Sequence, residues 1–381
     1  MRLLGVKINF DYNSETRVFA TLLHHRRGRY DASVIYNCWE GSSQGVERFE
    51  DFAEAETWRI DTGWRPNPEG KRSLVGKAVS TARIHASLPK LLKRVAEFDP
   101  DVIYSCQQKY DCLVASYLAE KLKRPQIIHL HYVPGPWLGQ QAMEQLKKVE
   151  HVVTVSDFIR HLAIRHGVHR DHVSTVRNVM PIFPPVAEAK RLEIRAALEI
   201  PADAMVIGNV GRLTAGKGHA DTINAFAKIS KAFPDAHLVI VGGGDLETSL
   251  QAQAAALKLK ERIHFTGVRS DVPELLGSFD IFIHPTRMDP APLAVLEACS
   301  SGLPVLAYEE GGVCEFIENG RTGLLTPPES VDGLARSMVA LLKAPEQAKL
   351  MGQASRERVA TRFRPEDVGI EFADLLERAL P

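Results

Sequence analysis

The sequence predicts two doubly wound α/β units, each built on a parallel sheet with helices on both faces. Three observations lead there. Apolar runs alternate with helix-like stretches from one end of the chain to the other. The runs are continuous rather than alternating in and out, as strands covered on both faces require. Midway, VMPIFPPV (179–186) places three prolines in eight residues, a stiff connector between two halves. A chain of 381 residues has room for two domains of ordinary size.

The elements follow in order. LLGVKINF (3–10) and ASVIYN (32–37) read as strands separated by a helix-like stretch. Residues 73–97 have helical composition and stop at Phe98-Asp99-Pro100, where proline cannot continue the pattern. Strand DVIYSC (101–106), a helix over 110–122, strand QIIHLHY (126–132), a helix ending near Val149 and strand HVVTVS (151–156) complete the first half. Past the connector and a charged helix (188–198), the alternation restarts with MVIGNVG (205–211), AHLVIVG (236–242), RIHFTG (262–267), FDIFIHP (279–285) and LPVLAY (303–308). The clearest intervening helix is ADTINAFAKISKAF (220–233). These patterns place an N-terminal domain at 1–180 and a C-terminal domain at 187–362, facing each other across a cleft. Residues 363–381 form a last helix that the second sheet does not need, and it is expected to cross back to the first domain. Ligands on such sheets bind outside the carboxyl ends of the strands.

Composition excludes several classes. Hydrophobic content of 45% with 25% charged residues is that of a globular protein. No stretch approaches the roughly 20 apolar residues that cross a bilayer. The opening MRLLGVKINFDYN lacks a signal-peptide core, and five scattered cysteines without CxxC (Cys38, Cys106, Cys112, Cys299, Cys314) read as reduced thiols in a cytoplasmic protein. No metal constellation is evident. Residues 1–178 hold 26 Lys/Arg against 20 Asp/Glu, while the remainder reverses the excess. The basic clusters HHRRGR (24–29) and KLKR (121–124) suit an anionic acceptor or peripheral contact with an anionic membrane; solvated basic helix faces explain them equally well.

Two segments carry chemistry. In VIGNVGRLTAGKGH (206–219) a strand ends at Gly211, and Arg212 and Lys217 flank a glycine-rich turn before a helix near His219. Such a turn can hold a phosphate, although it has neither Walker A nor GxGxxG spacing, and an ordinary βα turn with surface cations looks the same. In HPTRMDPAPLAVLEACSSGLPVLA (284–307), Asp289 precedes a helix whose first turn takes Pro292, and Glu297 lies inside it at D-x7-E spacing. An acid within LAVLEAC needs a polar partner, either a sugar or ribose hydroxyl pair or the neighbouring backbone.

Together these segments resemble the retaining glycosyltransferases of the GT-B fold, family 4. That family has an E-x7-E motif after a strand ending in proline, followed by EA-x-A-x-G-x-P-V; here stand Pro285, Asp289, Glu297-Ala298 and Gly302-Leu303-Pro304-Val305. Its G-R-L-x-x-x-K-G turn is Gly211-Arg212-Leu213 with Lys217-Gly218, and its V-G-x-G runs from Val241 through Gly243 to Gly244. G-G-x-x-E (Gly311 to Glu315) and N-G-x-T-G-L-L (Asn319 to Leu325) follow in order. The likeness is dense over about 150–360 and topological before that.

The resemblance implies a reaction. A sugar moves, with retention and without a metal or other cofactor, from a nucleoside diphosphate, a UDP- or GDP-sugar, to a hydroxyl acceptor. That acceptor is a saccharide or a lipid-linked saccharide of envelope or exopolysaccharide synthesis, on the inner face of the plasma membrane; nucleic acid is no partner. Arg212 and Lys217 match the cations on the diphosphate, Glu297 the carboxylate on the ribose, and Asp289 the one on the transferred sugar. The backbone at Gly211, Gly243, Pro290, Ala291, Pro292 and Leu293 borders the donor, and Arg269 lies where the family cradles the base. His131 matches a histidine beside the sugar, which domain closure would bring into place. His129 and His131, both in the strand QIIHLHY, are expected on opposite faces, one of them in the core.

Three departures stand out. Asp289 replaces glutamate, NFDYNSET (9–16) replaces a paired-glycine loop, and Asn178-Val179-Met180 lacks a family glycine. Asn13, Ser14 and Thr16 are the acceptor-side candidates in place of that loop. These departures leave a rival reading, a catalytically weak sugar-nucleotide-binding or scaffold protein of the same fold. A glycoside hydrolase would leave the phosphate-binding turn without purpose.

Overall fold

The computed structural model describes residues 1–8, 14–26, 28–37, 49, 53–60, 74–106 and 109–380. They form two compact units: 1–178 with 365–381, and 179–364. Each is a Rossmann-like α/β unit on a parallel sheet.

The first sheet has seven strands: β1 (Arg2–Lys7), β2 (Asp31–Asn37), β3 (Glu56–Ile60), β4 (Val102–Cys106), β5 (Gln126–Leu130), β6 (His151–Thr154) and β7 (Val173–Thr175). Their order is β3-β2-β1-β4-β5-β6-β7. The central strands β4 and β5 are buried at every residue, which is why they read as unbroken apolar runs. Sequence patterning missed β3 and β7, and both lie at sheet edges. An edge strand is short and partly polar, as ETWRI and VST are, because only one side is paired. The helix Leu74–Phe98 stops where Asp99 takes a left-handed φ of 51° before Pro100. Asp99 there receives hydrogen bonds from Arg2 and Arg124. The expected helix ending near Val149 is shorter, Gln140–Gln145.

The final helix, Pro365–Ala379, belongs to this first unit and packs on the helix Ser14–His24. Phe372 is fully buried, with its ring centroid 5.7 Å from that of Tyr104 and 6.4 Å from that of Tyr30. Arg29 reaches out to Asp374 and Glu377 on the same helix.

The second sheet has six strands: β8 (Met205–Val210), β9 (Ala236–Val241), β10 (Ile263–Phe265), β11 (Ile281–His284), β12 (Val305–Tyr308) and β13 (Gly323–Thr326). Their order is β10-β9-β8-β11-β12-β13. β13, unread in the sequence, is again an edge. Buried Arg195 fastens the entry to this unit: its guanidinium donates to the carbonyls of Ser278, Ala202 and Ala204 and pairs with Asp280 at 2.9 Å.

Phe372→Ala should destabilise the first unit by about 3–5 kcal/mol through the cavity it leaves. Urea titration of the full chain measures this. A change under about 1 kcal/mol would mean that the terminal helix is not part of that core.

Candidate donor-binding site

The chain lays β8, β9 and β10 outward in one direction and then returns to place β11 on the other side of β8. The carboxyl ends of β8 and β11 are therefore the switch point of this sheet, where loops diverge and leave room for a ligand. The loop after β8 carries Arg212 and Lys217; the loop after β11 carries Asp289.

Backbone contacts lock the two loops together. The Arg287 N–H donates to the Gly216 carbonyl at 3.0 Å. Gly218 sits at φ 70°, and a Cβ there would come within 2.0 Å of the Pro285 carbonyl oxygen, so only glycine fits. Behind the second loop, Gly312 donates to the Asp289 carbonyl at 2.8 Å, and a Cβ on Gly312 would lie 1.8 Å from the Pro290 oxygen. On the other side, Leu213 donates to the Gly243 carbonyl at 3.0 Å and Gly211 to that of Val241 at 2.9 Å.

Within this frame Lys217 Nζ meets Asp289 Oδ2 at 2.6 Å, and His284 Nε2 lies 3.5 Å from the same oxygen. Burial alone would raise the Asp289 pKa. The imidazole of His284 and the ammonium of Lys217 outweigh burial and hold the carboxyl well below the usual carboxylate range. Arg212 differs: its side chain is exposed, and no described residue pairs with it. Its carbonyl accepts from buried His219 Nε2 at 3.0 Å, which fixes the start of the helix His219–Ile229.

Pro292 caps the helix Leu293–Ser300, so the helix begins one residue later than the sequence suggested. Of residues 290–293 only Ala291 and Leu293 own an N–H, the others being proline. The first-turn amides of Leu293 and Ala294 find no acceptor among the described residues. Glu297 is half-buried in the middle of this helix. Arg269 forms a two-pronged pair with Asp271 at 2.8 and 2.6 Å, at the end of the edge strand β10.

The first unit also concentrates charge at its switch point, between β1 and β4, and the sequence reading missed it. Lys7, Glu15 and Asp111 are fully buried, with Lys7 Nζ 2.5 Å from Glu15 and 3.4 Å from Asp111. Burial would lower the Lys7 pKa, but Glu15, Cys106 and Asp111 raise it well above the ordinary value. The signal was a lysine inside the apolar run LLGVKINF, since a buried charge needs a partner. His129 and His131 are not on opposite faces: residues two apart along a strand share a face, and the rings stand 4.2 Å apart. His129 Nδ1 lies 2.7 Å from the Tyr104 hydroxyl, whereas His131 Nε2 is buried with no hydrogen-bond partner among the described residues. Burial, with the charge of Lys7 adding to it, pushes the His131 pKa down to about 3. Thr16 is fully buried; Asn13 and the side chain of Ser14 lie outside the described residues. Cys106, Cys112, Cys299 and Cys314 are free thiols.

This is a pair of Rossmann-like units, one of which carries an anion-suited switch point. Two family models match successive parts of the chain: Glycosyltransferase Family 4 over residues 16–181 and Glycosyl transferases group 1 over residues 190–358. The chain belongs to the nucleotide-sugar-dependent glycosyltransferases of the GT-B fold, as its motifs implied. It is 26% identical to the N-acetyl-alpha-D-glucosaminyl L-malate synthase of Bacillus anthracis over 69% of this chain and 78% of that one. It is 32% identical to the GDP-mannose-dependent alpha-(1-6)-phosphatidylinositol monomannoside mannosyltransferase of Mycobacterium tuberculosis over 49% of this chain and 51% of that one. As in that case, the match spans about half the length of several curated relatives. The crystal structure of Anabaena HepE in complex with UDP and glucose shares the fold, with a TM-score of 0.82 at 20% identity over 99% of both chains.

The His131 burial has a pH consequence. An unfolded imidazole binds its proton below 6.5, whereas His131 in the fold does so only near 3. The unfolded state thus binds more protons between these values, and stability falls as pH drops from 6.5 towards 3. Melting temperature against pH should fall less steeply over this window in His131→Gln than in the wild type. Equal slopes would mean that His131 titrates normally in the fold.

Proposed function

We propose that the second unit holds the donor's nucleoside diphosphate at the β8/β11 switch point and that the chain transfers its sugar to a hydroxyl with retention. One observation carries this reading. Arg212 and the first-turn amides of Leu293 and Ala294, which find no partner among the described residues, and Lys217, anchored by Asp289, come from loops that the backbone locks side by side. A diphosphate would take its charge balance from the two cations and its hydrogen bonds from the amides. As the anomeric C–O bond breaks, negative charge grows on the leaving phosphate, so these groups act more strongly on the transition state than on the bound donor.

Asp289 has two roles in this account. Ionised and acceptor-only, it holds Lys217 and keeps lone pairs free for a hydroxyl of the transferred sugar. Glu297 is assigned to the ribose hydroxyls, Arg269 and the backbone at Gly243 to the base side, and His131, kept neutral by burial, to the sugar. The acceptor hydroxyl attacks on the face that the nucleotide leaves, and no protein nucleophile is assigned. The first unit binds the acceptor, a saccharide or lipid-linked saccharide of polysaccharide or envelope synthesis. Its basic clusters favour the anionic inner face of the plasma membrane, reached from the cytoplasm. Among the described residues no helix is long and apolar enough to cross a membrane. The donor is a UDP- or GDP-sugar. HepE was solved with UDP and glucose, and the mycobacterial relative is named as GDP-mannose-dependent.

Arg212→Ala and Lys217→Ala should each lower transfer or donor hydrolysis by about 10²–10³-fold. The arginine variant should keep the wild-type melting temperature, because no described residue loses a partner. The lysine variant should melt lower, because Asp289 is left charged and buried. Full turnover in both variants would overturn the site. Wild-type nucleotide binding without turnover, across a panel of UDP- and GDP-sugars and acceptors, would support the scaffold reading.

A further inference from the structure

The loop from Pro285 to Asp289 is short, and Met288 within it takes a left-handed φ of 54°, which a methionine rarely adopts. Something must hold that conformation. Asp289 is held from behind by Gly312 and at its side chain by Lys217, while Pro285 continues β11. Between them Arg287 extends its side chain to acids outside the loop. Its guanidinium bonds Glu329 at 2.7 Å and reaches Asp221 at 3.3 Å. Asp221 lies in the first turn of the helix His219–Ile229, two residues past its start, and accepts from the Tyr308 hydroxyl of β12 at 2.9 Å. The Arg287 amide meanwhile donates to Gly216, the residue before Lys217.

We propose that Arg287 is a positioning residue for the donor site, setting the separation of the Lys217 and Asp289 loops by tethering one to the helix that follows the other. This rests on the donor reading above. Arg287 does not itself touch the donor in this account. It fixes Asp289 and, through the 2.6 Å ion pair, the Lys217 ammonium where the leaving phosphate needs it. Its pair with Glu329 is substantially exposed, the two side chains being 43% and 66% accessible, while Asp221, 18% accessible, keeps the Tyr308 hydroxyl as a donor when the arginine is lost. Exposed pairs add little to global stability. The loss of Arg287 should therefore appear in turnover rather than in melting, since small misplacements of a charge-stabilising group are costly to rate.

The test is a double-mutant cycle on donor turnover with Arg287→Ala and Lys217→Ala, alongside Arg287→Lys, Asp221→Asn and calorimetric UDP and GDP binding. Arg287→Ala should lower kcat/KM about 10–100-fold at an unchanged melting temperature. In the Lys217→Ala background it should cost clearly less than in the wild type, because the part of its effect that passes through Lys217 is already lost. Arg287→Lys should restore part of the rate, and Asp221→Asn should move it in the same direction as Arg287→Ala. An Arg287→Ala enzyme as active as a turning-over wild type would overturn the proposal, as would an equal loss in both backgrounds. If Arg287→Ala melts early, Asp221→Asn decides by the same criterion. A wild type that binds neither UDP nor GDP would overturn the donor reading itself and this proposal with it.

Discussion

The ion pair between Lys217 Nζ and Asp289 Oδ2, 2.6 Å long, joins two loops that leave neighbouring strands of one parallel sheet. The sheet supplies the closeness. β8 and β11 are hydrogen-bonded neighbours although the sequence separates them by two strands and their helices. The glycines supply the rest, for at Gly218 and Gly312 one loop's backbone sits where any side chain would be. The Lys217 and Asp289 loops are thereby held side by side at the switch point of the sheet.

That frame divides the electrostatic work. Asp289 is buried yet ionised because His284 and Lys217 face it, so it holds the lysine in place while retaining capacity for a hydroxyl. Arg212 is exposed and pairs with no described residue, a charge available to an incoming anion. The first unit does the reverse at its own switch point. There Lys7 pairs with Glu15 and Asp111 in the interior, and the buried imidazole of His131 stays neutral. One unit thus offers its cation outward while the other keeps its cation for internal pairing.

How much of this could be read in advance follows from what each feature needs from its neighbours. The central strands were legible because burial on both faces demands unbroken apolar sequence; β3, β7 and β13 were not, because an edge strand carries no such demand. Arg212, Lys217, Asp289 and Glu297 could be singled out because an ordered set of local motifs surrounds them, and the fold brings Lys217 to Asp289. The partners that the fold brings from afar were hidden: His284 read only as a strand end, and Arg287 as a loop residue whose acids lie 66 and 42 positions away. The contact of His131 with the ring of His129 was misjudged, since residues two apart along a strand share a face.

The most direct measurement is a crystal structure of the chain with a bound nucleoside diphosphate. The account predicts phosphate oxygens about 3 Å from the Arg212 guanidinium, from Lys217 Nζ and from the Leu293 or Ala294 amide, with the ribose hydroxyls on Glu297. A diphosphate bound away from the β8/β11 switch point, or touching neither cation, would contradict it.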